Sequence, residues 1–247
     1  TRKESSAASD VYKRQAEVSE LVLNSVTVSR GAGPVISDVS LTVRGGEVLA
    51  LVGPNGAGKT SLIESVSGVT PHSSGSLMLD GEPIDKLSRV SRARRGIVHI
   101  EQGRAVFPSL TVRENISLTA RTPAELDAAL AQFPELEKRI DSPTALLSGG
   151  EQQMVVLARA FAAKPRILLI DEMSLGLAPV VFMRLMPIVK SIAESGVGVL
   201  LVEQFTQLAL GLAREAVVVA GGRVSFQGTA EELKEDSQLL HRAYLGG

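Results

Sequence analysis

An α/β fold, with a parallel sheet covered by helices, is what this sequence predicts. Two segments, RILLID and VGVLLVE, are uninterrupted apolar runs without the alternation of a half-exposed strand. Such runs suit strands buried on both faces. A third apolar segment, VLALV, passes straight into a glycine-rich turn and a helix start. The chain has 247 residues, 44% of them hydrophobic, enough for one large domain or one with small subdomains.

Lysine and arginine number 26 against 27 acids, and a net charge of -1 makes no broad electrostatic case for nucleic acid. The absence of cysteine excludes a disulfide framework and thiolate metal sites, and fits a reducing compartment. No apolar run approaches the roughly 18 residues of a membrane span. No secretory signal pattern is evident either, so a soluble, cytoplasmic protein is expected.

In chain order, residues 1–17 are polar, rich in small residues and without either period, and are expected to be a disordered or artefactual leader. Order is expected from near Val18, where LVLNSVTVS alternates like a strand with one buried face. The β-rich segments VISDVSLTV, GEVLALVG and GSLMLDG surround a helix beginning near Lys59. A polar, basic segment at residues 86–95 leads to the strand GIVHI, and residues 109–140 are expected to be helical. Within them Thr122 is an N-cap, Pro123 takes the first helical position and Glu125 closes a capping box. The stretch EAVVVAGGRVSFQG reads as a hairpin turning at Gly221-Gly222, and Thr229 with Glu232 caps a last helix. No internal repeat is present.

The turn after VLALV is GPNGAGKT, which matches G-x-x-x-x-G-K-[ST] in a strand–loop–helix context. The candidate phosphate-binding set is Gly53, Pro54, Asn55, Gly56, Ala57, Gly58, Lys59, Thr60 and the adjacent Ser61. Gly56 and Gly58 let successive N–H groups face phosphate oxygens. Lys59 reaches the β- and γ-phosphates of a nucleotide, the Thr60 hydroxyl suits Mg²⁺, and the helix N-terminus adds positive charge. The bland alternative is a glycine-rich turn. RILLIDE ends in Asp171-Glu172; beside a phosphate loop, the first acid suits Mg²⁺ and the second an attacking water. Strands often end in acids, so this pair gains weight only from its company.

Residues 147–153, LSGGEQQ, carry two compatible readings. Ser148 and Glu151 form a capping box, which leaves two consecutive glycines without an explanation. Gly149 and Gly150 bare their N–H groups at a positive helix end, a second anion site. If both anion sites serve one nucleotide, the simplest geometry is two chains sharing ATP.

GPNGAGKT, LSGGEQQ and ILLIDE in this order resemble the nucleotide-binding subunit of ATP-binding-cassette (ABC) transporters, from about Val18 to the end. The resemblance implies a RecA-like P-loop core with an antiparallel β subdomain and a small α-helical subdomain, here about residues 103–147. It implies ATP and Mg²⁺ as ligands, with Thr60, Asp171 and Gln102 around the metal and Glu172, Gln204 and Gln102 around the chemistry. Two cassettes would close head-to-tail, Ser148, Gly149 and Gly150 of one covering ATP on the other. Transmembrane permease subunits are the implied partners, with an extracytoplasmic substrate-binding protein acting indirectly. The implied place is the cytoplasmic face of the inner membrane.

DEMSLGLAP, VEQ with Gln204 and the terminal AYLGG are similar to one ATPase of branched-chain amino acid importers, with urea importers close behind. That subgroup tends to have glutamine where other cassettes have histidine. An amide can donate a hydrogen bond but cannot carry a proton, so the division implied is that Gln204 positions and Glu172 polarises water. Gln102 lies in HIEQGRAVFPSLTV, where a polar loop residue is the alternative; Val106, Phe107 and Leu110 fit a docking surface or a subdomain core equally.

Five residues, at four places in the chain, depart from the family pattern. Arg30 stands where an aromatic commonly stacks on adenine; stacking and plain solvation both suit a guanidinium. Met173 replaces a proline, which is expected to loosen the turn. Leu177 replaces an acid, with consequences for communication between two sites. His99 and Glu101 stand where the subgroup more often has small or apolar residues and proline, and the sequence supplies no reason. Other classes fit less well: about 90 residues between Lys59 and Ser148 leave no room for the coiled coil of a repair ATPase. Translation factors of this family usually carry two cassettes. Intact Lys59, Asp171 and Glu172 argue against a regulatory module without turnover. Within transport, an exporting or lipid-extracting ATPase is the alternative.

Overall fold

The computed structural model describes residues 18–31, 33–103 and 105–246, so the expected leader at 1–17 lies outside the described residues. Two sheets and their helices form the molecule. The first sheet is antiparallel, in the order β2 (Gly33–Arg44), β1 (Glu20–Arg30), β4 (Ser74–Leu79), β5 (Glu82–Pro83). The second has six strands in the order β10 (Arg223–Thr229), β9 (Glu215–Ala220), β3 (Val48–Val52), β8 (Gly198–Val202), β7 (Ile167–Asp171), β6 (Ile97–Ile100). Its strands from β9 to β6 run parallel; β10 closes the edge as the hairpin expected at Gly221-Gly222.

The continuous apolar runs have a direct physical cause. Every residue of β3, β7 and β8 is buried, and alternate side chains enter two separate cores. Leu49, Leu51, Leu169, Leu200 and Val202 pack with the antiparallel sheet and with α1 (Lys59–Ser67). Ala50, Val52, Leu168, Ile170 and Leu201 pack instead with α5 (Gly149–Ala162) and α6 (Pro179–Glu194). A strand with a core on each side has no polar position to alternate with.

The region between β4 and α5 needs correction. The polar segment at 86–95 holds a helix, α2 (Arg89–Arg94), capped by Ser88. Its Arg92 is buried and donates to the carbonyls of Ser65, Val66, Asp85 and Leu87, a tertiary role that a charged residue does not advertise. The helical stretch expected over 109–140 is three pieces: α3 (Val112–Ser117), α4 (Pro123–Ala131) and a 3₁₀ segment, Pro134–Arg139. Both helices start on capping boxes, at Thr111 with Glu114 and at Thr122 with Glu125. After β8 comes α7 (Thr206–Leu212). Thr229 and Glu232 cap α8 (Ala230–Glu235) as expected, but α8 is not last. Asp236 caps a further helix, α9 (Ser237–Leu245). No helix among the described residues is long and apolar enough to cross a membrane.

Candidate active site

The carboxyl ends of β3, β7 and β8, neighbours in the sheet, deliver the chemistry-bearing residues to one cleft. β3 ends in the loop of residues 53–58 and α1 begins at Lys59. Gly58 is the N-cap of α1 with φ 96°, and a Cβ there would stand 2.5 Å from the Val35 carbonyl oxygen. Only glycine meets both conditions. Asn55, Gly56, Gly58, Lys59, Thr60 and Ser61 line the cleft with Val35, Gln102, Glu172 and Gln204. Gly53 and Pro54 sit behind it, their carbonyls accepting from Lys59 Nζ at 2.8 and 3.0 Å, and Ala57 is buried beneath. Val35 is the lining residue the sequence did not announce; a lone valine in a β-rich segment carries no functional signature.

The polar groups interlock. Thr60 Oγ1 lies 3.4 Å from Asp171 Oδ1, and Gln102 Nε2 donates to Thr60 Oγ1 at 3.1 Å. Gln204 Nε2 donates to Glu172 Oε2 at 2.9 Å. Burial pushes the Asp171 carboxyl up to about 6, with the Thr60 hydrogen bond opposing and Glu172 adding to the rise. Burial also pulls the Lys59 ammonium below its usual value, against Glu172 and Asp171. Hydroxyl, carboxylate and amide oxygens on three elements are a hard donor set of the kind Mg²⁺ takes alongside phosphate. Among the described residues no cluster of three or more His, Cys, Asp or Glu could hold a metal alone, so a metal here would depend on such shared ligation.

Ser148, Gly149 and Gly150 do not reach this cleft. They line a second one with Glu135, Gly176, Leu177, Ala178, Val181 and Arg184. Ser148 caps α5 through the reciprocal bond with Glu151. One of the paired glycines has a packing reason after all: a Cβ on Gly150 would stand 2.6 Å from Val181 Cγ1 on α6.

The departures acquire surroundings. Arg30 is ion-paired with Glu64 of α1 and donates to Thr70 at 3.3 Å, and it is not among the residues lining the phosphate-loop cleft. Glu101 pairs with Arg89, and His99 Nδ1 lies 3.1 Å from Ser67 Oγ. Burial pulls His99 down to about 4, leaving it neutral at neutral pH. Met173 is buried beside Glu172 as part of the hydrophobic core. Leu177 lines the second cleft, while Val106 and Leu110 are half-buried and Phe107 is exposed under the Arg159 guanidinium.

Comparison with known proteins gives the same family as the motifs. The family model described as ABC transporter matches residues 36–174. The chain is 36% identical over 233 residues to the high-affinity branched-chain amino acid transport ATP-binding protein BraG of Pseudomonas aeruginosa, covering 92% of this chain and 100% of that protein. It is 35% identical over 220 residues to the lipopolysaccharide export system ATP-binding protein LptB of Escherichia coli K12, covering 86% and 91% respectively. A solved ATP-binding subunit of an ABC transporter superposes with a TM-score of 0.77 at 28% identity, covering 91% of this chain and 98% of that one. The chain belongs to the ABC transporter family as an ATP-binding, ATP-hydrolysing domain.

Proposed function

We propose that this chain is the ATPase of an importer for branched-chain amino acids, working as one of two cassettes on transmembrane permease subunits. The observation that carries the ATPase chemistry is the convergence of Lys59, Thr60, Gln102, Glu172 and Gln204 around one cleft. Backbone N–H groups of residues 55–61 and the Lys59 ammonium take the β- and γ-phosphates. Thr60 and Asp171 would hold Mg²⁺ with Gln102 beside them, and the ion would neutralise phosphate charge. Glu172 accepts a hydrogen bond from the attacking water, and Gln204, already on Glu172, offers its amide to the γ-phosphate. Separation of Ser148–Gly149–Gly150 into another cleft supports a two-chain reading, in which a second cassette supplies those N–H groups to ATP held here. Residues 103–147 serve as the helical subdomain and, through Phe107 and next to Gln102, as the place where permease subunits dock on the cytoplasmic side. Substrate would reach them from an extracytoplasmic binding protein.

For import, the support is similarity to BraG over the whole of that protein, together with the Gln204 ending of β8. The LptB likeness at nearly equal identity favours lipid export as the second reading. Uptake of labelled leucine and urea in the native host carrying Lys59→Ala separates them. Loss of leucine uptake alone supports the proposal, and loss of urea uptake alone moves it to a urea importer. Retention of both, with redundant importers deleted, overturns import.

A further inference from the structure

Glu203 is a buried carboxylate that the chemistry above does not use. Oε1 accepts the Ser174 backbone N–H at 3.2 Å, and Oε2 accepts the Ser174 hydroxyl in a short bond. The Gln204 N–H also faces it. One side chain thus joins the loop leaving β7 to the loop leaving β8. Burying a carboxylate is costly unless each lone pair finds a donor, and here three donors converge. A hydrophobic pair would fill the same space without that cost, so packing alone does not account for it.

What the junction holds is informative. Glu172, two residues before Ser174, has φ 47°, a left-handed conformation unfavourable for any residue but glycine. Such a conformation persists where the surroundings over-determine it. Glu172 N–H bonds to the Val202 carbonyl at 2.9 Å, and the Glu172 carbonyl accepts from Leu175 N–H at 3.0 Å. Leu177 N–H returns to the Ser174 carbonyl at 2.9 Å. The same turn leads through Gly176, Leu177 and Ala178 into the wall of the second cleft. Ser174 is therefore the point where the Glu172 turn, the Gln204 loop and the second cleft meet.

We infer that Glu203 is a positioning residue for ATP hydrolysis: by clamping Ser174 it aligns the Glu172 carboxylate with the Gln204 amide and ties both to the second cleft. This rests on the reading of Glu172 as the group that polarises water. The test is steady-state ATPase activity of the full chain with thermal melting in parallel, for Glu203→Gln, Ser174→Ala, the double variant and Glu172→Gln. Each single change in the clamp should lower kcat about tenfold with KM for ATP within about twofold, since alignment and not nucleotide binding is lost. The double variant should be no slower than the singles, because both remove one interaction. If Glu203→Gln does not fold, Ser174→Ala, which deletes one oxygen, decides. A Ser174→Ala kcat within twofold of the parent, or losses that multiply in the double variant, overturns the inference. Should Glu172→Gln itself turn over normally, the reading beneath it falls; should only the clamp variants behave normally, this inference alone falls.

Discussion

Gln204 offers an amide to Glu172, and an amide can orient but not accept a proton at neutral pH. The two side chains should therefore lose different amounts. Glu172→Gln removes the group proposed to polarise water and should slow single-turnover hydrolysis by about 10²–10³-fold. Gln204→Ala removes one hydrogen bond to a charged partner, about 2 kcal/mol, and should cost some tens-fold. Equal losses would end that division of labour. Arg30 gives a contrasting case: its guanidinium is tied to Glu64 and Thr70, so Arg30→Ala should change KM for ATP by less than about twofold. A large rise in KM would restore the stacking reading. Residues with a motif, such as Lys59 and Asp171, could be singled out in the chain because their spacing is a local signal, and the fold sets both beside Thr60. Glu203 and Ser174 could not, since their meaning is a contact across 29 residues of sequence.

Elements announce themselves when their signals are local. Capping boxes at Thr122, Ser148 and Thr229 fix helix starts within four residues, so sequence alone placed those starts. Helix α2 escaped because its identity depends on Arg92 reaching four carbonyls of neighbouring segments, and the break between α3 and α4 followed no glycine or proline cue until Pro123. Gly150 lies between these cases. Its helix-end position suggests an anion site, and its approach to Val181 supplies an independent packing demand. The two demands separate by mutation. Gly150→Ala should lower unfolding stability by about 1–3 kcal/mol through overpacking, and adding Val181→Ala should recover most of it. ATPase activity should stay low in the recovered protein, because a methyl group still stands where phosphate must approach. Recovery of both would mean that Gly150 serves packing only.

The whole molecule sets three buried carboxylates, Asp171, Glu172 and Glu203, at the carboxyl end of one sheet, and the first and last of them make stability depend on pH. Burial pushes Glu203 up to about 7; the Ser174 and Gln204 hydrogen bonds oppose the rise and the Glu172 charge adds to it. Asp171, pushed up to about 6, acts in the same sense. An acid whose native pKa exceeds its unfolded value binds its proton more tightly in the folded protein. Its contribution is complete below the unfolded value near 4.5 and is lost as pH rises through about 7. For Glu203 the full swing is on the order of 3 kcal/mol. The Glu151 carboxylate, lowered by its Ser148 hydrogen bonds, works oppositely but mainly below pH 4.5; His99, pulled down to about 4 by burial, also works oppositely up to its ordinary value of 6.5 and offsets part of the fall above pH 5.5. The two acids outweigh His99, so the nucleotide-free protein should melt a few degrees lower at pH 8 than at pH 5.5. Glu203→Gln, which has no proton to lose, should flatten most of that slope while the melting temperature at pH 5.5 stays close to the parent's. A slope unchanged in Glu203→Gln but abolished in Asp171→Asn would move the effect to the phosphate-loop cleft. A melting temperature that rises from pH 5.5 to 8 would mean that the hydrogen bonds from Ser174 and Gln204 outweigh burial and hold Glu203 ionised.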